Sequence, residues 1–168
     1  MKTLFVLRHA KSDWGDESLP DFDRPLNHRG NKAAKAVGHE MATRGIRPDL
    51  VISSPAMRAK ETVERMLHGY GEDIPVNEDR RIYEAGTGTL VEIVRTAPAD
   101  ADRLMIVGHN PGLQELVVAL SEPSALREEA DQKFPTGALA EIRFSIDRWS
   151  ELALGTGQLE DLIKPRDL

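Results

Sequence analysis

Near its start the chain runs Thr3-Leu4-Phe5-Val6-Leu7 without polar alternation and is then broken by Arg8-His9-Ala10. A short run of β-branched, aromatic and aliphatic residues suits a strand covered on both faces, as in parallel sheets. Arg8 and His9 then fall where α/β proteins open their crevice, at the carboxyl end of a strand. The pattern returns twice. Val51-Ile52-Ser53-Ser54-Pro55 gives way to Arg58 in the first turn of a helical segment. Leu104-Met105-Ile106-Val107-Gly108 ends in His109, followed by Asn110-Pro111-Gly112 and another helical segment. The chain has five histidines, and His9 and His109 share one structural address, which makes an ordinary polar exit from the sheet the poorer reading of either. An imidazole beside a guanidinium sets a nucleophile next to an anion holder, an arrangement suited to phosphoryl chemistry.

Strand and helix signals alternate along the rest of the chain. The polar loop from Lys11 to Pro25 is longer than a plain connection needs, and such loops often have a function. A helix is expected from about Arg29 to Thr43, capped by Asn27, ended by Gly45, and burying Ala33, Val37 and Met41. Further helices are expected over 55–67, 87–96, 112–120 and 125–131, with strands at Val76–Glu78, Leu104–Val107 and Gly137–Ile146. Trp149 to Leu154 is expected to pair with the last strand as a hairpin. Leu159 to Leu168 reads as a terminal segment of low order. Together these predict an α/β fold: a three-layer α/β/α sandwich with a mostly parallel central sheet. It forms a single domain over 1–168, less ordered from about residue 155.

Composition narrows the classes of function. At 168 residues the chain is long enough for one core. No apolar stretch approaches the ~20 residues that span a bilayer, and the start of the chain lacks the regions of a signal peptide. The absence of cysteine rules out disulfides and thiolate metal sites and fits a cytoplasmic protein. A net charge of −6 disfavours nucleic acid as partner. An anionic substrate stays open, since a few arginines focused in a crevice reverse the local potential.

With Leu7-Arg8-His9-Ala10-Lys11-Ser12, Ser53-Ser54-Pro55-Ala56-Met57-Arg58 and Gly108-His109 in this order, the chain resembles the histidine phosphatase superfamily. That superfamily includes cofactor-dependent phosphoglycerate mutases and acid phosphatases. The short length and the first motif are most similar to its SixA-type phosphohistidine phosphatases. The resemblance runs from Met1 to about Ile146, and Arg-His-Ala stands where many relatives have Arg-His-Gly, a departure of one methyl group. It implies a phosphoglycerate mutase-like fold and a phosphatase that needs neither metal nor cofactor. In that scheme His9 is the nucleophile, Arg8 and Arg58 bind the phosphoryl oxygens, and His109 hydrogen-bonds the transferring group.

The same resemblance brings Arg24 of Asp23-Arg24-Pro25-Leu26 to the phosphate; the alternative is a surface arginine paired with Asp21 or Asp23. Glu84 falls where many members have a glutamate that protonates the leaving group; the alternative is a rim carboxylate. Ser12 and Lys11 border the nucleophile and are candidates to touch substrate. Trp14 either closes over the substrate or packs its loop onto the body. The Phe134-Pro135-Thr136-Gly137 turn resembles one beside the second histidine of relatives, with a structural role as the default for Thr136. The substrate implied is phosphohistidine on a protein. A small phosphorylated metabolite on the same machinery is the second reading, and a catalytically silent phosphate-binding module the third.

Overall fold

The computed structural model describes residues 1–168, and the first apolar run becomes strand β1 (Lys2–Arg8) in the interior of a six-stranded sheet. The other strands are β2 (Leu50–Ser53), β3 (Val76–Glu78), β4 (Arg103–Gly108), β5 (Leu139–Phe144) and β6 (Gln158–Ile163). Their spatial order is β3-β2-β4-β1-β5-β6. Strands β1 to β4 run parallel, and β5 and β6 are antiparallel additions at one side.

The period of two along the strands builds two cores. Leu4, Val6, Leu104 and Ile106 meet Leu90, Val94, Leu113 and Leu116 of helices α3 (Thr87–Arg95) and α4 (Gly112–Leu120), which α5 (Ala125–Gln132) flanks. Phe5, Leu7, Met105 and Val107 meet Val37, Met41, Val63 and Met66 of α1 (His28–Arg44) and α2 (Met57–Tyr70). The expected three layers are therefore present, because each central strand has an apolar residue to give to both faces.

Helix α1 begins and ends at the expected signals. Asn27 Oδ1 accepts the Gly30 N–H at 2.8 Å, and Gly45 takes up φ 71° at the C-cap. Its buried stripe is Ala34, Val37, Gly38 and Met41; the expected Ala33 is only half-buried. The shift follows from what the helix packs against. A Cβ on Gly38 would lie 1.9 Å from Met66 O, and one on Gly69 2.0 Å from Lys35 O. The backbones of α1 and α2 thus touch, and Gly69 lies inside α2, which runs past the expected end at 67 to a C-cap at Gly71 (φ 87°).

The C-terminal expectations fail. Trp149 lies in a single 3-10 turn (Trp149–Glu151), 1% exposed, its indole N–H donating to Ala101 O at 2.6 Å. The hairpin partner of β5 is β6 instead, within the segment expected to be poorly ordered. Leu159 and Ile163 turn inward, and Leu139 pairs with Ile163. Arg44 on α1 donates to Asp161 at 2.6 Å. A register shift between Glu141 and Ile142 breaks the alternation that would have announced this pairing. No helix is long and apolar enough to cross a membrane.

The glycine contact between α1 and α2 leaves no room for a methyl group. Gly38→Ala is expected to cost about 3 kcal/mol, because backbone rather than a flexible side chain must give way. Urea unfolding should show a lowered midpoint with an unchanged slope.

Candidate active site

The carboxyl ends of β1, β2 and β4 meet at one edge of the sheet and deliver the expected residues to one place. The His9 N–H donates to Gly108 O at 2.9 Å, which sets β1's exit beside that of β4. On the other side Gly137 N–H donates to His9 O at 2.9 Å, and Arg8 N–H to Ala138 O at 3.0 Å. Ala10 N–H donates to Thr62 Oγ1 at 2.9 Å, and that hydroxyl donates to Arg58 O at 2.6 Å. The first turn of α2, with Arg58, is thereby tied to the loop that follows His9. The added methyl of Ala10 has a place: it is fully buried with Leu26 and Ala34. A crevice of about 520 Å³ lies above, and its lining includes Arg8, His9, Ser12, Arg24, Arg58 and His109.

His9 is 6% exposed, and its Nδ1 lies 2.7 Å from Ala10 O. A carbonyl oxygen only accepts, so Nδ1 has the proton and Nε2 keeps its lone pair. Burial pushes the His9 pKa down to about 3, opposed by the Ala10 hydrogen bond and assisted by His109, Arg58 and Arg8. His9 is therefore neutral at pH 7, the form in which imidazole is a nucleophile. His109 lies with its ring centroid 5.2 Å from that of His9, and burial, then Arg58, lowers its pKa to about 4. Its Nε2 is 2.8 Å from Ser54 Oγ, which already accepts the Ala56 N–H at 3.2 Å. His109 Nε2 is the only acceptor the structure gives the Ser54 hydroxyl proton, and in the tautomer that takes it Nδ1–H is a buried donor with no protein partner. Such a donor suits an arriving oxyanion.

The arginines are fixed but incompletely satisfied. Arg8 Nη1 donates to Phe134 O at 3.1 Å, and the buried Nε atoms of Arg8 and Arg58 have no partner. Burial, followed by the charge of Arg58, lowers the Arg8 pKa. Arg58 donates to Asp21 O at 2.8 Å and to Asp21 Oδ2 at 3.0 Å. Arg24 Nη2 reaches Asp21 Oδ1 at 3.1 Å, its Nη1 donates to Ser12 Oγ, and its guanidinium stacks 3.5 Å from the centroid of Trp14. The Tyr83 hydroxyl donates to Asp21 Oδ2 at 2.6 Å. That bond first, then the hydrogen bonds and charge of Arg24 and Arg58, draws the Asp21 pKa down to about 2 against the effect of burial. Converging guanidinium groups with spare donors match the equatorial oxygens of a phosphoryl group.

Six of the seven expected residues come together; Arg24 lines the crevice and pairs with Asp21, but at 6% exposed it is not a surface arginine. Glu84 is not brought in. It is exposed, has φ 61°, makes no hydrogen bond or ion pair, and is absent from the lining. Its neighbour Tyr83 faces the site, packing edge-on to His109 at 5.5 Å. Trp14 stays 74% exposed on the rim, and Thr136 joins the lining. His28, His39 and His68 are exposed and outside it. Sequence reasoning missed Ser54, Thr62 and the central place of Asp21. The only signal for Asp21 was its spacing, three residues before Arg24.

Residues 4–112 match the model of the histidine phosphatase superfamily (branch 1). The uncharacterized protein Rv1276c of Mycobacterium tuberculosis is 32% identical, over 95% of this chain and 100% of its own length. A crystal structure from Agrobacterium tumefaciens, provisionally named phosphohistidine phosphatase SixA, superposes with a TM-score of 0.83. It is 28% identical and covers 98% of both chains. A similarly named structure from Nakamurella multipartita gives a TM-score of 0.82 at 27% identity, covering 98% of this chain and 96% of that one.

The buried imidazole has a consequence for acid stability. The unfolded chain binds a proton at His9 near pH 6.5, the folded chain only near pH 3, so the unfolded state gains protons in between. Stability should fall as pH drops from 7 to 5, by about 2 kcal/mol from this group. His9→Asn is expected to remove that share, read as a shallower pH dependence of the unfolding free energy.

Proposed function

The chain belongs to the histidine phosphatase superfamily, and we propose that it is a metal-independent phosphatase working through a phosphohistidine intermediate on His9, with phosphohistidine on a protein as substrate. The observation that supports this most is the His9 tautomer: a neutral ring with Nδ1–H committed to Ala10 O and Nε2 free toward the crevice. His9 Nε2 attacks the phosphorus of the substrate as its bond to the leaving imidazole nitrogen breaks, and the leaving imidazole takes up a proton. Arg8, Arg58 and Arg24 neutralise the charge on the equatorial oxygens, and His109 Nδ1–H donates to one of them. Water then cleaves the phosphoramidate on His9, giving inorganic phosphate and restoring the neutral ring.

Asp21 competes for the same guanidinium donors. An arriving phosphoryl group has more charge and more acceptor atoms than this half-exposed carboxylate, so it takes over the free edges of Arg58 and Arg24. The likeness to proteins named phosphohistidine phosphatase supports the protein substrate. So does an exposed rim at Trp14, which leaves space for a polypeptide loop. The lack of cysteine supports a cytoplasmic setting.

His9→Ala is expected to lower turnover of a phosphohistidine protein by at least about a thousandfold. Wild type quenched during turnover should have acid-labile, alkali-stable phosphate on His9. Activity that survives in His9→Ala overturns the nucleophile, and preference for a phosphorylated metabolite replaces the substrate. Phosphate binding without turnover on either class would leave a binding module.

A leaving imidazole needs less protonation than an alkoxide, and Glu84 stands outside the crevice lining. Glu84→Gln is therefore expected to keep phosphohistidine turnover within about threefold of wild type, against the hundredfold or more that a general acid supplies. A fall of that larger size would bring Glu84 into the reaction.

A further inference from the structure

We infer that a second anion site adjoins the catalytic crevice and binds an acidic group elsewhere on the same substrate molecule; this rests on the phosphatase reading and adds to it a class of substrate. The site is a pocket of about 290 Å³ walled by Lys11, Arg29, Thr136, Lys164, Pro165 and Arg166, among others. It contains four cations and no acidic residue, on a chain whose net charge is −6. Lys11 and Thr136 line both this pocket and the crevice, so the two adjoin.

Three observations separate this from an ordinary basic surface. Lys164 is 7% exposed, and its only counter-charge is Glu129 at 3.8 Å, itself half-exposed and beyond hydrogen-bond reach. An ammonium with no closer acceptor has donors to spare for an anion in the pocket. Arg29 is in the first turn of α1, a turn with no acidic residue, where a cation opposes the helix dipole. Neither Arg29 nor Lys11 has an ion-pair partner, and Arg166 has only Asp167 at 3.8 Å. The walls are also held in place. A Cβ on Gly30 would lie 2.0 Å from Lys11 O, which docks the start of α1 against the nucleophile's loop. Gly137, at φ 75°, packs so closely on Pro165 that a Cβ would come within 2.7 Å of its ring. The same Gly137 donates to His9 O, so the tail that brings Lys164 and Arg166 is in register with the nucleophile.

The group recognised is a carboxylate or a phosphate. Acidic residues flanking a phosphohistidine present the first, and the second phosphate of a bisphosphorylated metabolite presents the other. The pocket acts on substrate capture rather than on the transferring phosphoryl group.

The test uses the full chain and two short phosphohistidine peptides, one flanked by glycines and one by glutamates, beside a hexose bisphosphate and its monophosphate. Wild type is expected to prefer the glutamate peptide by about tenfold in kcat/KM, through KM, and Arg29→Glu with Arg166→Glu to bring that preference to about one. Preference for the bisphosphate alone, lost in the same double variant, supports the pocket and assigns it a second phosphate. Equal use within both pairs, or a preference that survives the charge reversal, overturns it. Absence of turnover on every substrate defeats the phosphatase reading instead. The pocket is then judged by tri-glutamate binding, followed at the Gly137 and Arg166 amides by NMR. Shifts lost in the double variant support it, and no shift in wild type overturns it.

Discussion

The peptide of His9 is held from both sides: its N–H by Gly108 at the end of β4, and its C=O by Gly137 at the start of the β5 segment. Much else at the site follows from this clamp. It exists because β1 lies between a parallel and an antiparallel neighbour, so the strand's last residues find backbone partners after the ladder itself has ended. The ring that follows has Ala10 O within reach of one nitrogen only, and the tautomer is decided without any acidic partner. Burial then keeps the ring neutral. A charged neighbour would have worked against this, since a carboxylate at Nδ1 raises an imidazole pKa.

Around this neutral ring the protein gathers cations that repel one another. Arg8, Arg24 and Arg58 line the crevice with His109, and each is buried or nearly so. Such an arrangement is stable only with anionic partners. Asp21 fills that role from the loop, accepting from Arg24, Arg58 and Tyr83. Because its carboxylate is half-exposed, the substitute stays within reach of solvent and of exchange with a substrate. The neighbouring basic pocket differs: Arg29 and Lys11 have no ion-pair partner, and Lys164 meets only Glu129, at 3.8 Å.

The fold and most of the residues that line the crevice were legible in the sequence because they are written in local terms. An apolar run, a turn and a helix start specify where Arg8, His9, Arg58 and His109 stand along the chain. The alternation of strands and helices then requires their carboxyl ends to share an edge. Asn27 and Gly45 mark α1 through chemistry confined to a few bonds. None of these features needs knowledge of a distant residue.

What tertiary structure alone decided depends on contacts between remote segments. The stripe of α1 moved to Ala34 because Gly38 meets the backbone of α2. Trp149 turned inward to reach Ala101 O, and residues 158–163 became an edge strand because β5 offered an unpaired side. Asp21, Ser54 and Thr62 acquired partners 37, 55 and 52 residues away, while Glu84, at φ 61°, does not line the crevice. A residue's type and its near neighbours set which hydrogen bonds and charges it can offer. Only the packed chain determines which acceptor is close enough, and which water is gone, for one of those offers to be taken.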